Sequence, residues 1–416
     1  MRREDVQPLL SQAAGRLPEP DLADAAWAEG VAIRQRRRRG VLIGLLVVVL
    51  VAVITAIGLG VSSGHKADLV PPTTPPTNPP DYIAPAGQIA GIDYWVAPPP
   101  GSERFLDRLE TPLGDRLQLP DKSRPLSEHP IDQIAAVVLK RHDGVYEPLV
   151  LGADSSWAQA DVQLVAIATG SPLSPGAVSP DGRIAAFPQP GELVTVDAGT
   201  AEVSHYDVPT EDIRSVSWLG DTQRVLVSGP GVAYRVLVGE GGFGEGPVVK
   251  VNGAEDADAI TVPFRLDAGA VMRYTVSGQW IEDSALSLPV RSWVGQTFST
   301  SDTAARLFIA DDLPQVPTKV SRPQVVAAIS TLRTIPSRLL VLGEPISGPP
   351  RTPQAAADRA YVREPGCCAV LGWYGDSIPL LEVRGWILAW DLSSGRVWRV
   401  TELEVDGLAV GPGVRP

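Results

Sequence analysis

Only two cysteines and four histidines occur in 416 residues, and neither type appears before His65. A transition-metal centre has little to draw on, and none is expected. Basic residues are also short: 36 Lys and Arg stand against 48 Asp and Glu, a formal charge of −12. The chain lacks the basic face that a general nucleic-acid binder needs, so no nucleic-acid partner is expected. Helical periodicity is scarce too. After Ala90 the one candidate helix is PQVVAAISTLRTI, Pro323 to Ile335. What is abundant is punctuation, with 40 Gly and 40 Pro, set in a chain that is 44% hydrophobic and 20% charged. That mixture describes a packed core crossed by many turns. The length admits one large domain or two to three ordinary ones.

Positive charge is gathered at one end. Residues 1–40 hold eight Arg and six Asp or Glu, a net of +2 within an acidic chain. No ionisable residue lies between Arg39 and His65, and Val41 to Val61 reads VLIGLLVVVLVAVITAIGLGV. At about 1.5 Å per residue this run covers roughly 30 Å, the hydrocarbon thickness of a bilayer. Arg34, Arg36, Arg37, Arg38 and Arg39 abut its start, while His65 and Lys66 alone flank its end. Lys and Arg are retained on the cytoplasmic side, so these arginines set the expected topology, with the N-terminus inside and the bulk outside. A cleaved signal peptide would have an apolar region of about 7–15 residues with a cleavage site close behind. This run is longer and reads as a retained single-pass anchor. VPPTTPPTNPP, Val70 to Pro80, follows. Proline this dense favours an extended chain of about 3.1 Å per residue, a semi-rigid stalk. The expected layout is a cytoplasmic leader 1–40, a transmembrane helix 41–62, a stalk 63–88 and an extracytoplasmic domain 89–416.

Within that domain three stretches share a pattern: SVSWLGD (Ser215–Asp221), VRSWVGQ (Val290–Gln296) and VLGWYGD (Val370–Asp376). Their tryptophans, Trp218, Trp293 and Trp373, are 75 and 80 residues apart, so each gap is close to two units of 38 to 40. GAVSPDGRIAAF (Gly176–Phe187) places Pro180 in the same slot, 38 residues before Trp218. A second half-unit recurs as well. GELVTVDAGTAEVSHYDV (Gly191–Val208) aligns with GWILAWDLSSGRVWRVTEL (Gly385–Leu403), each with a strand ending in Asp197 or Asp391 and a Gly-containing turn. LVAIATGSPL, Leu164 to Leu173, is a weaker third copy. Short apolar runs bounded by Gly, Asp, Ser and Pro are strand signals, and a β unit recurring at about 40 residues is the signature of a propeller blade. The expected fold is an all-β propeller, seven blades favoured over six or eight. Trp218, Trp293, Trp373 and Trp390 are expected to pack between neighbouring blades.

On these residues the chain resembles the WD-repeat and YVTN-type propeller superfamily over about three quarters of its length. Trp390–Asp391 alone reproduces the Trp-Asp pair, and no Gly-His dipeptide occurs within residues 89–416. AWDLSSGRVW is also similar to the tryptophan-docking repeat of quinoprotein dehydrogenases. Trp398 follows Gly395 by three residues where that family has four, and no second good copy exists. No quinone, and no other cofactor, is expected.

Three further motifs are weighed against plainer readings. GEGGFG, Gly239 to Gly244, satisfies G-x-G-x-x-G. That pattern serves a dinucleotide only where a helix follows, whereas EGPVVKV reads as a strand, so a hairpin loop is expected. YGDSIPLL, Tyr374 to Leu381, is similar to the nucleophile block of Gly-Asp-Ser-Leu hydrolases. No histidine follows His205 to serve as the base, so Ser377 is expected in a turn and no catalytic residue is assigned. NGAEDADA, Asn252 to Ala259, gathers Glu255, Asp256 and Asp258 without the spacing of a calcium loop, and reads as a solvated acidic loop. Cys367 and Cys368 are adjacent. Thiols outside a membrane tend to be oxidised, yet a trans peptide holds neighbouring Cα atoms about 3.8 Å apart, short of the usual disulfide span. A strained vicinal disulfide is the expectation, and two reduced buried thiols are the alternative.

The leader has too few residues for a core of its own. Its layout with anchor, stalk and outer domain resembles membrane proteins common in actinobacteria, some of which are found beside extracytoplasmic sigma factors. The His-x-x-x-Cys-x-x-Cys motif of the zinc-containing anti-sigma factors is absent. The expected function is a membrane-anchored binding, sensing or scaffolding module for an unknown extracytoplasmic protein or small ligand. The alternatives are an exported propeller enzyme (lyase, lactonase or quinoprotein-like) and an envelope-signal protein coupled to a cytoplasmic regulator through residues 1–39.

Overall fold

The computed structural model describes residues 81–416 except 220–221, 240–247, 252–263, 268, 275–279, 301, 312, 314–322, 332–335, 344–367 and 416. Leader, span and most of the stalk therefore lie outside the described residues, as do GEGGFG after Gly239, the NGAEDADA loop and Cys367.

The described chain is almost wholly β. It opens with β1 (Gly87–Ile89), β2 (Ile92–Val96), β3 (Arg116–Leu117) and β4 (Arg124–Pro125). Blade 1 follows with β5 (Ile134–His142), β6 (Val145–Gly152), β7 (Trp157–Gln159) and the side strand β8 (Leu164–Val165). Blade 2 is β9 (Ile184–Gln189), β10 (Glu192–Asp197) and β11 (Val203–Asp207). Blade 3 is β12 (Ser215–Trp218), β13 (Arg224–Gly229), β14 (Val232–Leu237) and β15 (Val248–Val251). Blade 4 is β16 (Phe264–Asp267), β17 (Ala270–Tyr274) and β18 (Trp280–Ala285). Blade 5 is β19 (Val290–Ser299), β20 (Thr303–Ala310), β21 (Gln324–Ser330) and β22 (Arg338–Gly343). Blade 6 is β23 (Cys368–Trp373), β24 (Pro379–Val383), β25 (Trp386–Trp390) and β26 (Val397–Leu403). Last comes β27 (Ala409–Val410).

These strands form six sheets, each built on an antiparallel meander of consecutive strands, and the fold is a β-propeller. The ring is closed by the chain's own end. β27 pairs antiparallel with β5, Ala409 opposite Val137 and Val410 opposite Ala136, and so supplies the inner strand of blade 1. Closure removes the inner edges that would otherwise be open to another chain.

Apolar cores run round the same circle. One cluster joins blades 1, 2 and 3 through Val150, Phe187 and Val225. Leu226 and Val251 of blade 3 take Trp280 of blade 4. Leu266 and Val271 meet Phe308 and Val325 between blades 4 and 5. Leu340 and Val326 meet Leu381 and Leu388 between blades 5 and 6. Finally Leu380 and Val400 meet Ala136 and Leu151 between blades 6 and 1. Each blade is thus buried on both faces. Alternation then disappears from its central strands, because residues pointing either way need to be apolar. This explains the misread segment at Pro323–Ile335. Val325, Ala327 and Ile329 face blade 4 while Val326 and Ala328 face blade 6, so a central strand mimics a helix in sequence.

Before entering blade 1, residues 81–126 run as a strap over the outer rims of blades 5, 6 and 1. β2 pairs parallel with β22, β3 with β26, and β4 with β7. Asp81 already touches Arg396 at 3.2 Å, so contact with the propeller begins ahead of the boundary expected at 89. Ion pairs accompany the strands: Arg338 with Asp93 at 3.1 Å, Arg396 with Asp107 at 2.5 Å, and Arg116 with Glu402 at 2.8 Å and Glu404 at 3.1 Å. The exposed pairs among these contribute about 0–1 kcal/mol each. The parallel ladders and the buried Trp95, Leu113 and Leu117 carry the rest.

The blade count is six among the described residues, within the expected range but one below the favoured seven. Trp218 and Trp293 flank one intervening blade, as their spacing predicts. Trp293 and Trp373 belong to adjacent blades, and the extra length falls largely in 344–367. The weaker copy at 164–173 is not a blade hairpin. Its β8 pairs with β6, and Ile167 closes a small turn on Gly170.

Candidate functional site

In four blades the pair that closes the first turn marks an equivalent slot, which corrects the sequence alignment. The pair that closes it is Val178 with Ala185 in blade 2, Trp218 with Val225 in blade 3, Ser299 with Ala304 in blade 5 and Trp373 with Pro379 in blade 6. Val178, not Pro180, occupies the slot of Trp218. Trp293 lies six residues ahead of its blade's slot at Ser299, because β19 is interrupted by two irregularities of register. There it packs edge-on against Phe308, with ring centroids 5.4 Å apart.

These slot residues converge. Val178, Trp218, Ser299, Trp373 and, from β27, Val410 all line one cavity of about 700 Å³. Five of the six blades contribute, which places the cavity on the axis of the ring. Its wall is mostly apolar and backbone: Phe298, Pro175, Pro180 and Pro412 with Gly176, Gly372 and Gly411. The volume falls in the range of about 300–1,000 Å³ usual for small-molecule sites.

The tryptophans behave differently from one another. Trp218 is 5% exposed and its indole N–H donates to the Ala177 carbonyl at 3.0 Å, so it forms fixed wall. Trp373 is half-buried at the rim, and its indole N–H has no acceptor among the described residues. Trp390 is fully buried between blades 5 and 6, away from the cavity, with its ring centroid 6.2 Å from that of Trp95.

Two charged side chains line the cavity, Asp376 and Arg415, both exposed. Asp376 belongs to the turn after β23, where Gly375 takes φ +70 and the Tyr374 N–H donates to the Ile378 carbonyl at 2.8 Å. Arg415 follows the short 3-10 turn Pro412–Val414 that β27 leads into. Its Nη1 packs over Gly375, about 3.1 Å from where a Cβ would stand. Neither charge has a hydrogen-bond or ion-pair partner among the described residues. Behind the Gly176 wall, Gln296 is 8% exposed and its Oε1 is buried without a donor among the described residues. Unpaired buried polar atoms cost about 1–3 kcal/mol each.

Other motifs fall elsewhere. Ser377 sits in the blade 6 turn, its carbonyl accepting from the Leu392 N–H at 3.0 Å. β14 and β15 pair antiparallel on either side of Gly239, so the next described element after it is a strand. Cys368 opens β23, is 4% exposed and is disulfide-bonded. Among the described residues no group of three or more His, Cys, Asp or Glu is placed to hold a metal ion. Nor, among them, is any helix long and apolar enough to cross a membrane.

Sequence reasoning missed Arg415 and Gln296 and read Asp376 only as part of a turn. Nothing local marks them. Arg415, next to last in the chain, reaches the axis only because β27 joins blade 1.

No protein-family model matches the chain, and no curated protein does. Among solved structures it is similar to the dihydro-heme d1 dehydrogenase NirN in complex with DHE, at 15% identity and a TM-score of 0.32, over 71% of this chain and 79% of that one. It is also similar to TolB from Acinetobacter baumannii, at 13% identity and a TM-score of 0.36, over 66% of this chain and 65% of that one. Likenesses of this degree speak to neither ligand nor chemistry.

Proposed function

We propose that this chain is a single-pass membrane protein with its N-terminus inside, whose propeller acts outside the membrane as a binding module with a ligand site in the axial cavity. The observation that carries the binding reading is the convergence of five blades on one cavity holding two unpaired charges. A scaffold with no ligand would gain stability from filling that space with side chains. The anchor and orientation rest on the uncharged run Val41–Val61 and the arginines fencing its start.

Two measurements test the reading. Every lysine follows the apolar run, and Lys122 and Lys140 are exposed. A membrane-impermeant amine reagent on intact cells is expected to label these two, and protection until lysis would refute the orientation. A Ser299→Trp variant, which plugs the cavity, is expected to lose ligands that thermal-shift screening finds for the wild type. Ligands that survive the plug would refute the axial site.

A further inference from the structure

We infer that the axial cavity takes a small zwitterion, a molecule with a carboxylate and an ammonium group on an apolar body, of the amino-acid or short-peptide class. The inference rests on the binding reading above and adds the chemistry of the ligand.

The charges select the class. Asp376 and Arg415 come from different ends of the ring's last seam, one from the blade 6 turn and one from the tail behind β27. The Arg415 guanidinium packs over Gly375, the residue beside Asp376, yet the two charges do not form an ion pair. Both remain available on one wall. A simple anion would pair with Arg415 and meet repulsion from Asp376, and a simple cation would meet the reverse. A ligand carrying both signs satisfies both, and charge-assisted bonds of this kind are the strong ones. The remaining wall asks for an apolar body. Phe298, Trp373, Val178 and Val410 offer apolar surface, and prolines offer no backbone N–H. The cavity of about 700 Å³ is roomier than a free amino acid requires, which favours two or more linked residues.

Calorimetry on the full-length protein in detergent decides between outcomes. The probes are leucyl-phenylalanine, its C-terminal amide, its N-acetyl form and free leucine. The dipeptide is expected to bind, each blocked form about tenfold or more weakly, and free leucine less well than the dipeptide. Arg415→Gln should erase the preference for the free carboxylate, and Asp376→Asn the preference for the free amine. Both side chains are exposed, so circular dichroism should show both variants folded. Failure of the dipeptide to bind, or equal binding of the blocked forms, would overturn the zwitterion. Blocked forms that bind as well as the dipeptide but are lost in Ser299→Trp would leave the cavity reading standing while removing the zwitterion. Binding that survives the plug would remove both.

Discussion

The indole of Trp95 fills the space where a side chain at position 395 would begin. A methyl on Gly395 would overlap Nε1, Cε2 and Cδ1 of that ring. The Trp95 N–H donates to the Ile83 carbonyl at 2.8 Å, and the Ile83 N–H donates to the Ser394 carbonyl at 2.7 Å. The Asp391–Gly395 turn is thereby the seat of the strap. Ala201 holds the matching position in blade 2 at φ +60, so that turn's backbone tolerates a methyl. Collision with Trp95 is what forbids one at 395. Gly395→Ala is expected to cost about 2–4 kcal/mol, read by urea denaturation, and to expose residues 81–126 to limited proteolysis. Unchanged stability and protease resistance would show that the strap does not depend on this seat.

Removal of residues 409–416 takes away the inner strand of blade 1 and the Arg415 wall. The expected result is a sharply lowered melting temperature and an expanded radius by small-angle scattering, because β5 is left with an open edge. A shortened chain that melts like the parent would contradict closure by β27.

Two carboxylates predict opposite pH dependence. A hydrogen bond from Arg399 holds the Asp115 carboxyl below its ordinary range, helped by the charges of Arg399, Arg108 and Arg116. The unfolded chain then takes up this proton first, so Asp115 stabilises the fold above the ordinary carboxylate value and ceases to do so as pH falls through the lowered one. Burial pushes the Glu382 carboxyl up instead. Its folded form binds the proton first, and a cost grows as pH rises beyond the ordinary value. Melting curves across the acid to neutral range should show Asp115→Asn losing stability at neutral pH and Glu382→Gln gaining it. Either variant moving the other way would refute its assignment.

Cys368 is disulfide-bonded, and Cys367 is the only other cysteine in the chain. The pair is therefore expected to be joined as neighbours. Intact mass after denaturation and alkylation should show no adduct without reductant and two with it. Two adducts without reductant would reject the bond.

The blades were readable wherever turn chemistry is local. Asp197 accepts from the N–H groups of Gly199 and Thr200 at 2.8 and 2.9 Å, while Asp391 accepts from Ser393 N–H at 2.8 Å, so the two half-units match in structure as in sequence. Where the backbone departs from the repeat, the reading slipped. The irregular β19 moved Trp293 out of register, and strands buried on both faces concealed β21. The cavity was not legible, because its charges lie 39 positions apart and meet only after the ring closes. The strap was equally hidden, since its strands of two to five residues are too short to carry a periodicity.

That the final strand belongs to the first blade has a consequence for synthesis. As the chain emerges from the ribosome, β5 to β7 appear about 250 residues before β27 and must wait with one edge unpaired until it is made. The nascent protein is therefore most vulnerable to mispairing in the interval before residues 409–410 arrive, and translation that stops short of them yields an incomplete first blade.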